Sequence, residues 1–228
     1  MNQLQTGPFK AVIFDLDGTL LDTLADLSVS LNTVLERHGH PTHSLDECRK
    51  LVGFGMQMLV WSALPEHARD EALIEPLLEE MKGVYAGQWN VQSKPYDGIG
   101  RLLDALDAMG LKKAILSNKP DHFTKLCADE LLAPWSFEVV MGHHEGIAHK
   151  PDPQGALLVA GMLGVEPASI LYVGDSGIDM MTAVAAGMYP LGVLWGFRPE
   201  DELRSTGAGK LVEAPDEIIA FLESCCAS

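Results

Sequence analysis

The chain has 228 residues, of which 47% are hydrophobic, and its formal net charge is −16 at pH 7. A chain of this length can bury a sizeable core in one or two domains. The acidic excess argues against nucleic acid or an anionic membrane as a partner, because both require a basic surface. No apolar run reaches about 18 residues, and residues 1–10 are polar. We therefore expect a cytoplasmic protein.

The first predicted element is a buried strand over residues 11–14, followed directly by the segment Asp15-Leu16-Asp17-Gly18-Thr19. Side chains alternate along a strand, so the two aspartates project to the same side, at the edge where open α/β sheets bind ligands. An acidic turn or a calcium loop would begin similarly. The calcium interpretation fails, because Thr19, Leu21 and Asp26 stand where such a loop needs further oxygen ligands and a glutamate.

Residues 22–94 differ from the rest, because they carry helical patterns and little that indicates a strand. Leucine and valine recur at spacings of three and four over residues 24–35. Ser44 and Glu47 have the spacing of a capping box, and Pro65 and Pro76 are expected at helix starts or breaks. The sequence therefore predicts an all-helical insertion over residues 22–94, placed within a core formed by residues 1–21 and 95–228.

From residue 95 onward, short apolar runs alternate with helical patterns. Strands are predicted near residues 114–116, 138–141, 170–173 and 191–194, and helices near 98–109, 121–132, 154–163, 177–186 and 215–224. Gly110, Gly164 and Gly187 are expected to end helices. This alternation predicts an α/β fold, a Rossmann-like, doubly wound parallel sheet with helices on both faces.

Polar residues follow the later strands, where such a sheet places its ligands. Ser117 and Asn118 follow the strand near 114–116, and their hydroxyl and backbone N–H groups could hold phosphoryl oxygens or simply cap the next helix. Lys150 stands in the segment His149-Lys150-Pro151-Asp152-Pro153. Two prolines restrict this backbone, which favours a fixed cation over a solvated surface lysine.

Asp175 follows the strand near 170–173, and Asp179 lies one helical turn later. Asp175 together with Asp15 and Asp17 would make a site of oxygen ligands suited to Mg²⁺. The alternative is a pair of acids that complement a helix dipole.

Together and in this order, these segments resemble the four motifs of the haloacid dehalogenase superfamily of phosphohydrolases. Residues 15–19 are similar to the first motif, Ser117 to the second, Lys150 to the third, and residues 174–179 to the fourth. The helical insertion resembles a type-one cap, and the resemblance covers nearly the whole chain. Further segments resemble phosphoglycolate phosphatase-type members: Asp22-Thr23 and residues 52–55, 118–120, 149–153 and 174–176.

The resemblance implies a phosphatase that acts on a small phosphorylated metabolite, as a monomer or a homodimer. Asp15 would attack phosphorus and form an aspartyl-phosphate, and Asp17 would protonate the leaving oxygen and then activate water. Mg²⁺ would be bound by Asp15, the backbone carbonyl of Asp17 and Asp175, while Ser176 and Asp179 would orient the groups around it.

The remaining implied sites bind the two ends of the substrate. The phosphoryl group would be held by Gly18, Thr19, Ser117, Asn118 and Lys150. The leaving group would be recognised by a cap loop of Gly53, Phe54 and Gly55, because the two glycines allow close backbone approach; a plain interhelix turn is the alternative.

Other activities share these core motifs. A β-phosphoglucomutase-like phosphotransferase, a sugar phosphatase or a pyrophosphatase would carry the same residues, and a non-catalytic binding module is the alternative from another class. A haloalkanoate dehalogenase needs no acid at Asp17, and a phosphonoacetaldehyde hydrolase would want a lysine near Met56. The histidines His143, His144 and His149 could bind zinc or form an ordinary loop, and residues 195–198 could be an active-site rim or a dimer contact.

Overall fold

The computed structural model describes residues 9–226, in which strands and helices alternate as the sequence predicts. The strands are β1 (Ala11–Phe14), β2 (Leu21–Asp22), β3 (Lys94–Pro95), β4 (Lys112–Pro120), β5 (Val139–His143), β6 (Ile170–Gly174), β7 (Tyr189–Val193) and β8 (Lys210–Val212). The helices are α1 (Leu24–Arg37), α2 (Leu45–Leu51), α3 (Met56–Ala63), α4 (Glu71–Ala86), α5 (Ile99–Ala108), α6 (Asp121–Leu131), α7 (Gln154–Leu163), α8 (Gly177–Ala185), α9 (Glu200–Ser205) and α10 (Pro215–Cys226). Short 3₁₀ turns occupy Glu66–Ala68 and Pro167–Ser169.

Within residues 9–226, six parallel strands form one sheet in the order β5-β4-β1-β6-β7-β8. The chain order reverses around β1, and the register aligns Phe14 with Ile115 of β4 and Val173 of β6. The residues just beyond these three positions therefore meet at one edge, beside the switch point where such sheets bind ligands. The predicted doubly wound α/β fold is confirmed.

β1 is buried on both faces because its side chains alternate. Val12 and Phe14 belong to one apolar cluster with α5, α6 and α10, and Ala11 and Ile13 belong to a second cluster with α7 and α8. The first cluster continues without a break into α1, α3 and α4. Within residues 9–226, every helix is too short or too polar to span a bilayer.

The helices α1 to α4 lie between β2 and β3, which pair antiparallel with Leu21 opposite Pro95 and Asp22 opposite Lys94. We call α1 to α4 the helical insertion. The predicted domain boundaries fall in this two-stranded ribbon, and the division into core and cap stays a prediction. The capping box is present, since Ser44 and Glu47 each bond the other's backbone N–H.

Pro76 lies inside α4, so the expectation that it starts or breaks a helix is wrong. A proline inside a helix costs about 3 kcal/mol. Burial of Ile74, Leu77 and Met81 on the same helix offsets this cost. Pro65, by contrast, follows α3 and precedes the first 3₁₀ turn.

β4 continues to Pro120, beyond the predicted end at residue 116. The predicted strand near 138–141 runs from Val139 to His143, and the one near 191–194 from Tyr189 to Val193. The sequence patterns missed β2, β3, α9 and β8, because elements this short have too few residues to establish a periodicity. Gly110, Gly164 and Gly187 follow α5, α7 and α8 with positive φ, as predicted.

The buried carboxylate of Asp26 ties α1 to the segment that returns to the sheet. It accepts hydrogen bonds from the backbone N–H groups of Gln92 and Ser93 and from the Ser93 hydroxyl, at 2.7 to 3.1 Å. We expect Asp26→Ala to lower the free energy of unfolding by about 2–3 kcal/mol, because buried donors lose their acceptor. Urea denaturation measures this change. Asp129→Ala, at an exposed position of α6, is the control, and a similar loss in both variants would contradict the assignment.

Candidate active site

Asp15 lies directly beyond β1, where its backbone N–H donates to the carbonyl of Val173 at 2.9 Å. The chain then turns at Gly18, whose φ is 90° and whose N–H donates to the Leu21 carbonyl at 2.8 Å. This positive φ favours glycine, and a side chain here would also collide with Asp175. The turn therefore brings the residues after β1 against those after β6.

Lys150 is a buried cation at the centre of the site. Its Nζ donates to Oδ1 of Asp15 at 2.6 Å, to Oδ1 of Asp179 at 2.7 Å and to the carbonyl of Leu116 at 3.1 Å. The Asn118 side chain holds its backbone, accepting from the Lys150 N–H at 2.8 Å and donating to the Lys150 carbonyl at 3.1 Å. Lys150 is thus held from both ends, as a fixed cation would be.

Asp175 and Asp179 are positioned by the start of α8. Ser176 and Asp179 form a second capping box, in which each side chain accepts from the other's backbone N–H, and the Ser176 hydroxyl also donates to Oδ2 of Asp179 at 2.6 Å. Both oxygens of Asp179 are thus engaged, one by Ser176 and one by Lys150. Asp175 accepts a hydrogen bond at 2.6 Å from the backbone N–H of Phe197.

Carboxylate oxygens of Asp15, Asp175 and Asp179 lie within 4.8 Å of one another, and all three residues are buried. Burial raises the pKa of Asp15 and of Asp175, and repulsion among the carboxylates raises both further. Burial alone would lower the pKa of Lys150, but Asp15 and Asp179 raise it well above the usual lysine value. Three carboxylates thus face one ammonium group, an excess of negative charge that a divalent cation would neutralise. The residues fit Mg²⁺, which prefers carboxylate oxygens.

Asp17 lines a common cavity with these residues, but its carboxylate lies outside this cluster. It accepts a hydrogen bond from the Thr23 hydroxyl at 2.6 Å and bonds from Nζ of Lys119 at 2.9 and 3.2 Å. Lys119 is buried, which alone would lower the pKa of its ammonium group, but Asp17 raises that pKa above the usual lysine value. Any contribution of the Asp17 carbonyl to metal binding stays a prediction.

One cavity of about 40 Å³ joins these groups to the helical insertion. Its polar lining comes from the aspartates and lysines described above, with Ser117 and Asn118, and its apolar lining comes from Leu27, Val52, Met56 and Leu59. Of the expected recognition loop, Gly53 and Gly55 line the cavity, while Phe54 is 48% exposed. Thr19 is buried, and among the described residues its hydroxyl has no hydrogen-bond partner.

The structure bears on two alternatives left open by the sequence: helix capping by Ser117 or Asn118, and zinc binding by the histidines. Neither Ser117 nor Asn118 caps α6, because that helix begins at Asp121 and its capping position is Pro120. The rings of His143 and His149 stack with centroids 3.4 Å apart and planes 19° apart. Ring nitrogens in stacked planes do not converge on one point, so this geometry does not favour a zinc site.

Arg198 belongs to the segment 195–198, for which the sequence left an active-site rim and a dimer contact as alternatives. Its guanidinium donates to the backbone carbonyls of Arg49, Lys50 and Val52, at the end of α2, at 2.5 to 3.1 Å. Asn118 adds a bond to the carbonyl of Gly53 at 3.0 Å. These side chains fasten the helical insertion over the cavity. Phe197 and Arg198 also line the cavity, so this part of the segment lies at the rim of the site, as one of the two interpretations expected.

The chain is similar in sequence and in fold to known proteins. The family model described as haloacid dehalogenase-like hydrolase matches residues 12–193. A phosphoglycolate phosphatase from Xylella fastidiosa (strain 9a5c) is 35% identical over 217 residues, which cover 94% of each chain. An N-acetylmuramic acid 6-phosphate phosphatase from Pseudomonas aeruginosa is 34% identical over 215 residues, covering 94% of this chain and 95% of the relative. A crystal structure from Lactobacillus delbrueckii subsp. bulgaricus, described as a candidate phosphoglycolate phosphatase, has a TM-score of 0.88 and 31% identity, covering 94% of this chain and 98% of that one. The chain therefore belongs to the haloacid dehalogenase-like hydrolases, as a phosphatase of that family.

Proposed function

We propose that this phosphatase is a Mg²⁺-dependent hydrolase of small phosphate monoesters that works through an aspartyl-phosphate. The observation that carries the proposal is the buried cluster of Asp15, Asp175 and Asp179, in which Asp15 and Asp179 both bind Lys150. Asp15 is the nucleophile: its Oδ1 is engaged by Lys150, so Oδ2 is the oxygen available to attack phosphorus. Asp15 and Asp175 would hold the metal, which when bound neutralises charge on the phosphoryl group.

The other residues bind, orient and transfer protons. Lys150 and the Ser117 hydroxyl would hold phosphoryl oxygens, and Asn118 keeps the Lys150 backbone in place. Asp179 orients Lys150 and takes no direct part in bond formation. Asp17 would turn from Lys119 toward Asp15, take up a proton from solvent, give it to the leaving oxygen and later accept one from the attacking water.

We propose that the substrate is the phosphate monoester of a small hydroxy acid, most similar to phosphoglycolate. A cavity of about 40 Å³ holds only a few water-sized molecules, which favours a compact leaving group. The two relatives named above act, by their names, on phosphoglycolate and on N-acetylmuramic acid 6-phosphate. Both of these compounds carry a carboxyl group in addition to a phosphate monoester.

Phosphate release from a panel of monoesters tests the proposal. The panel is phosphoglycolate, N-acetylmuramic acid 6-phosphate, glucose 6-phosphate, β-glucose 1-phosphate and pyrophosphate, each with Mg²⁺ and with excess EDTA. We expect phosphoglycolate to be hydrolysed fastest and chelation to lower the rate at least about 100-fold, reversibly, because the carboxylate cluster loses its cation. Undiminished turnover in EDTA would contradict the metal assignment, and isomerisation of β-glucose 1-phosphate without phosphate release would identify a mutase.

A further inference from the structure

Lys119 is a buried cation of the cavity to which the mechanism above gives no task. It lies near the end of β4, its side chain is 2% exposed, and it lines the cavity. Its Nζ contacts both oxygens of Asp17, at 2.9 and 3.2 Å. Asp17 is thus the carboxylate that balances its charge.

Three of the described side chains that line the cavity are cationic: Lys119, Lys150 and Arg198. Lys150 is taken by Asp15 and Asp179, and the guanidinium of Arg198 is taken by backbone carbonyls at the end of α2. Lys119 is paired with Asp17, which has to move during the reaction. Lys119 is therefore the cation that can bind an anionic group on the leaving half of the substrate.

The surroundings of Lys119 include a second polar side chain. The Nζ atom of Lys119 lies 4.8 Å from the ring centroid of Tyr85, which belongs to α4 of the helical insertion. The Tyr85 side chain is buried beside this ammonium group. A carboxylate that entered here could accept hydrogen bonds from both residues.

Proton transfer by Asp17 and the charge of Lys119 are coupled by this geometry. Asp17 has to release Lys119 when its carboxylate turns toward the scissile bond. A buried ammonium group left without a counter-ion is strongly unfavourable. A carboxylate on the substrate that replaced Asp17 beside Lys119 would remove this cost and free Asp17 at the same time.

We propose that Lys119 binds a carboxylate of the leaving group in exchange for Asp17, and so selects phosphate monoesters of small hydroxy acids. This inference rests on the proposed function. It makes Lys119 a residue that sets specificity, and it couples substrate recognition to the release of Asp17 for proton transfer.

The matched substrates phosphoglycolate and ethyl phosphate test the proposal, because they differ by a carboxylate against a methyl group. We expect the wild-type protein to prefer phosphoglycolate at least about 100-fold in kcat/KM, since a site built for a polar group rejects the analogue that lacks it. In Lys119→Met the preference should fall to less than about 10-fold, mostly through a higher KM for phosphoglycolate. Lys125→Met, which removes an exposed lysine of α6, is the control and should keep the wild-type preference.

Product inhibition gives a second measurement that does not depend on phosphoglycolate turnover. Glycolate should inhibit ethyl phosphate hydrolysis by the wild-type protein and should lose at least about 10-fold in potency against Lys119→Met. Ethylene glycol, which lacks the carboxylate, is the control compound.

The outcomes separate the two proposals. Hydrolysis of ethyl phosphate and phosphoglycolate at equal kcat/KM by the wild-type protein would overturn the role of Lys119 and leave the phosphatase intact; this measurement needs no variant to fold. An unchanged preference in a folded Lys119→Met protein would overturn it as well. Failure of the wild-type protein to hydrolyse either ester, or any member of the panel, would instead overturn the proposed function.

Discussion

Asp15→Asn is expected to lower kcat at least about 10⁴-fold, the order of loss seen when a nucleophile is removed. An asparagine amide is too weak a nucleophile to attack phosphorus, yet it has the same shape as aspartate. Lys150 keeps its contact with Asp179 in this variant, so the fold should persist. Steady-state phosphate release with phosphoglycolate and Mg²⁺ measures the loss.

Two further measurements make this result specific. Rapid acid quenching during turnover should trap phosphate on the wild-type protein and none on Asp15→Asn, because only a carboxylate forms the acyl phosphate. Asp129→Asn, at an exposed position of α6, should behave as the wild-type protein in both assays. Trapped phosphate in a folded Asp15→Asn protein would contradict the assignment of the nucleophile.

Lys150→Met is expected to lower both stability and activity. The change keeps the length of the side chain but leaves Asp15 and Asp179 buried without their ammonium partner, beside the buried carboxylate of Asp175. Removing one partner of a buried ion pair costs about 3–5 kcal/mol, which urea denaturation measures. We expect kcat of the folded variant to fall at least about 100-fold as well, because phosphoryl oxygens lose a fixed cation.

Lys125→Met is the matched control for this prediction. Lys125 pairs with Asp121 on the surface of α6 at 2.6 Å, and 55% of its side chain is exposed. Exposed pairs contribute about 0–1 kcal/mol, so this variant should remain close to the wild-type protein. Equal stability losses in the two lysine variants would contradict the claim that burial decides the effect.

The contacts that hold the helical insertion over the cavity could not be predicted from the sequence. Arg198 and Asn118 bond to backbone carbonyls between residues 49 and 53. Every residue has a backbone carbonyl, so these acceptors leave no signature in the sequence. The glycines of the expected loop do line the cavity, but the partners that hold the loop come from positions 65 or more residues away in the chain.

The sheet and its central acidic cluster follow from local patterns. Asp15, Ser117 and Asp175 each follow an apolar run, and parallel register brings the ends of β4, β1 and β6 together. The position of each group could thus be predicted without knowing any side-chain contact. The run of α4 through Pro76 could not, because burial against neighbouring helices outweighs the local cost of proline.

By itself, the sequence determined the doubly wound sheet, the helical insertion and the candidate residues at the strand ends, because hydrophobic periodicity and motif spacing are local properties of a chain. Tertiary structure alone decided which way each side chain turns. Asp17 and Lys119 are 102 positions apart, and their ion pair exists because the turn after β1 packs beside the end of β4. Likewise, the apolar lining of the cavity by Leu27, Met56 and Leu59 depends on how α1 and α3 pack against the rest of the protein. Such contacts arise from the packing of distant elements, which no local pattern specifies.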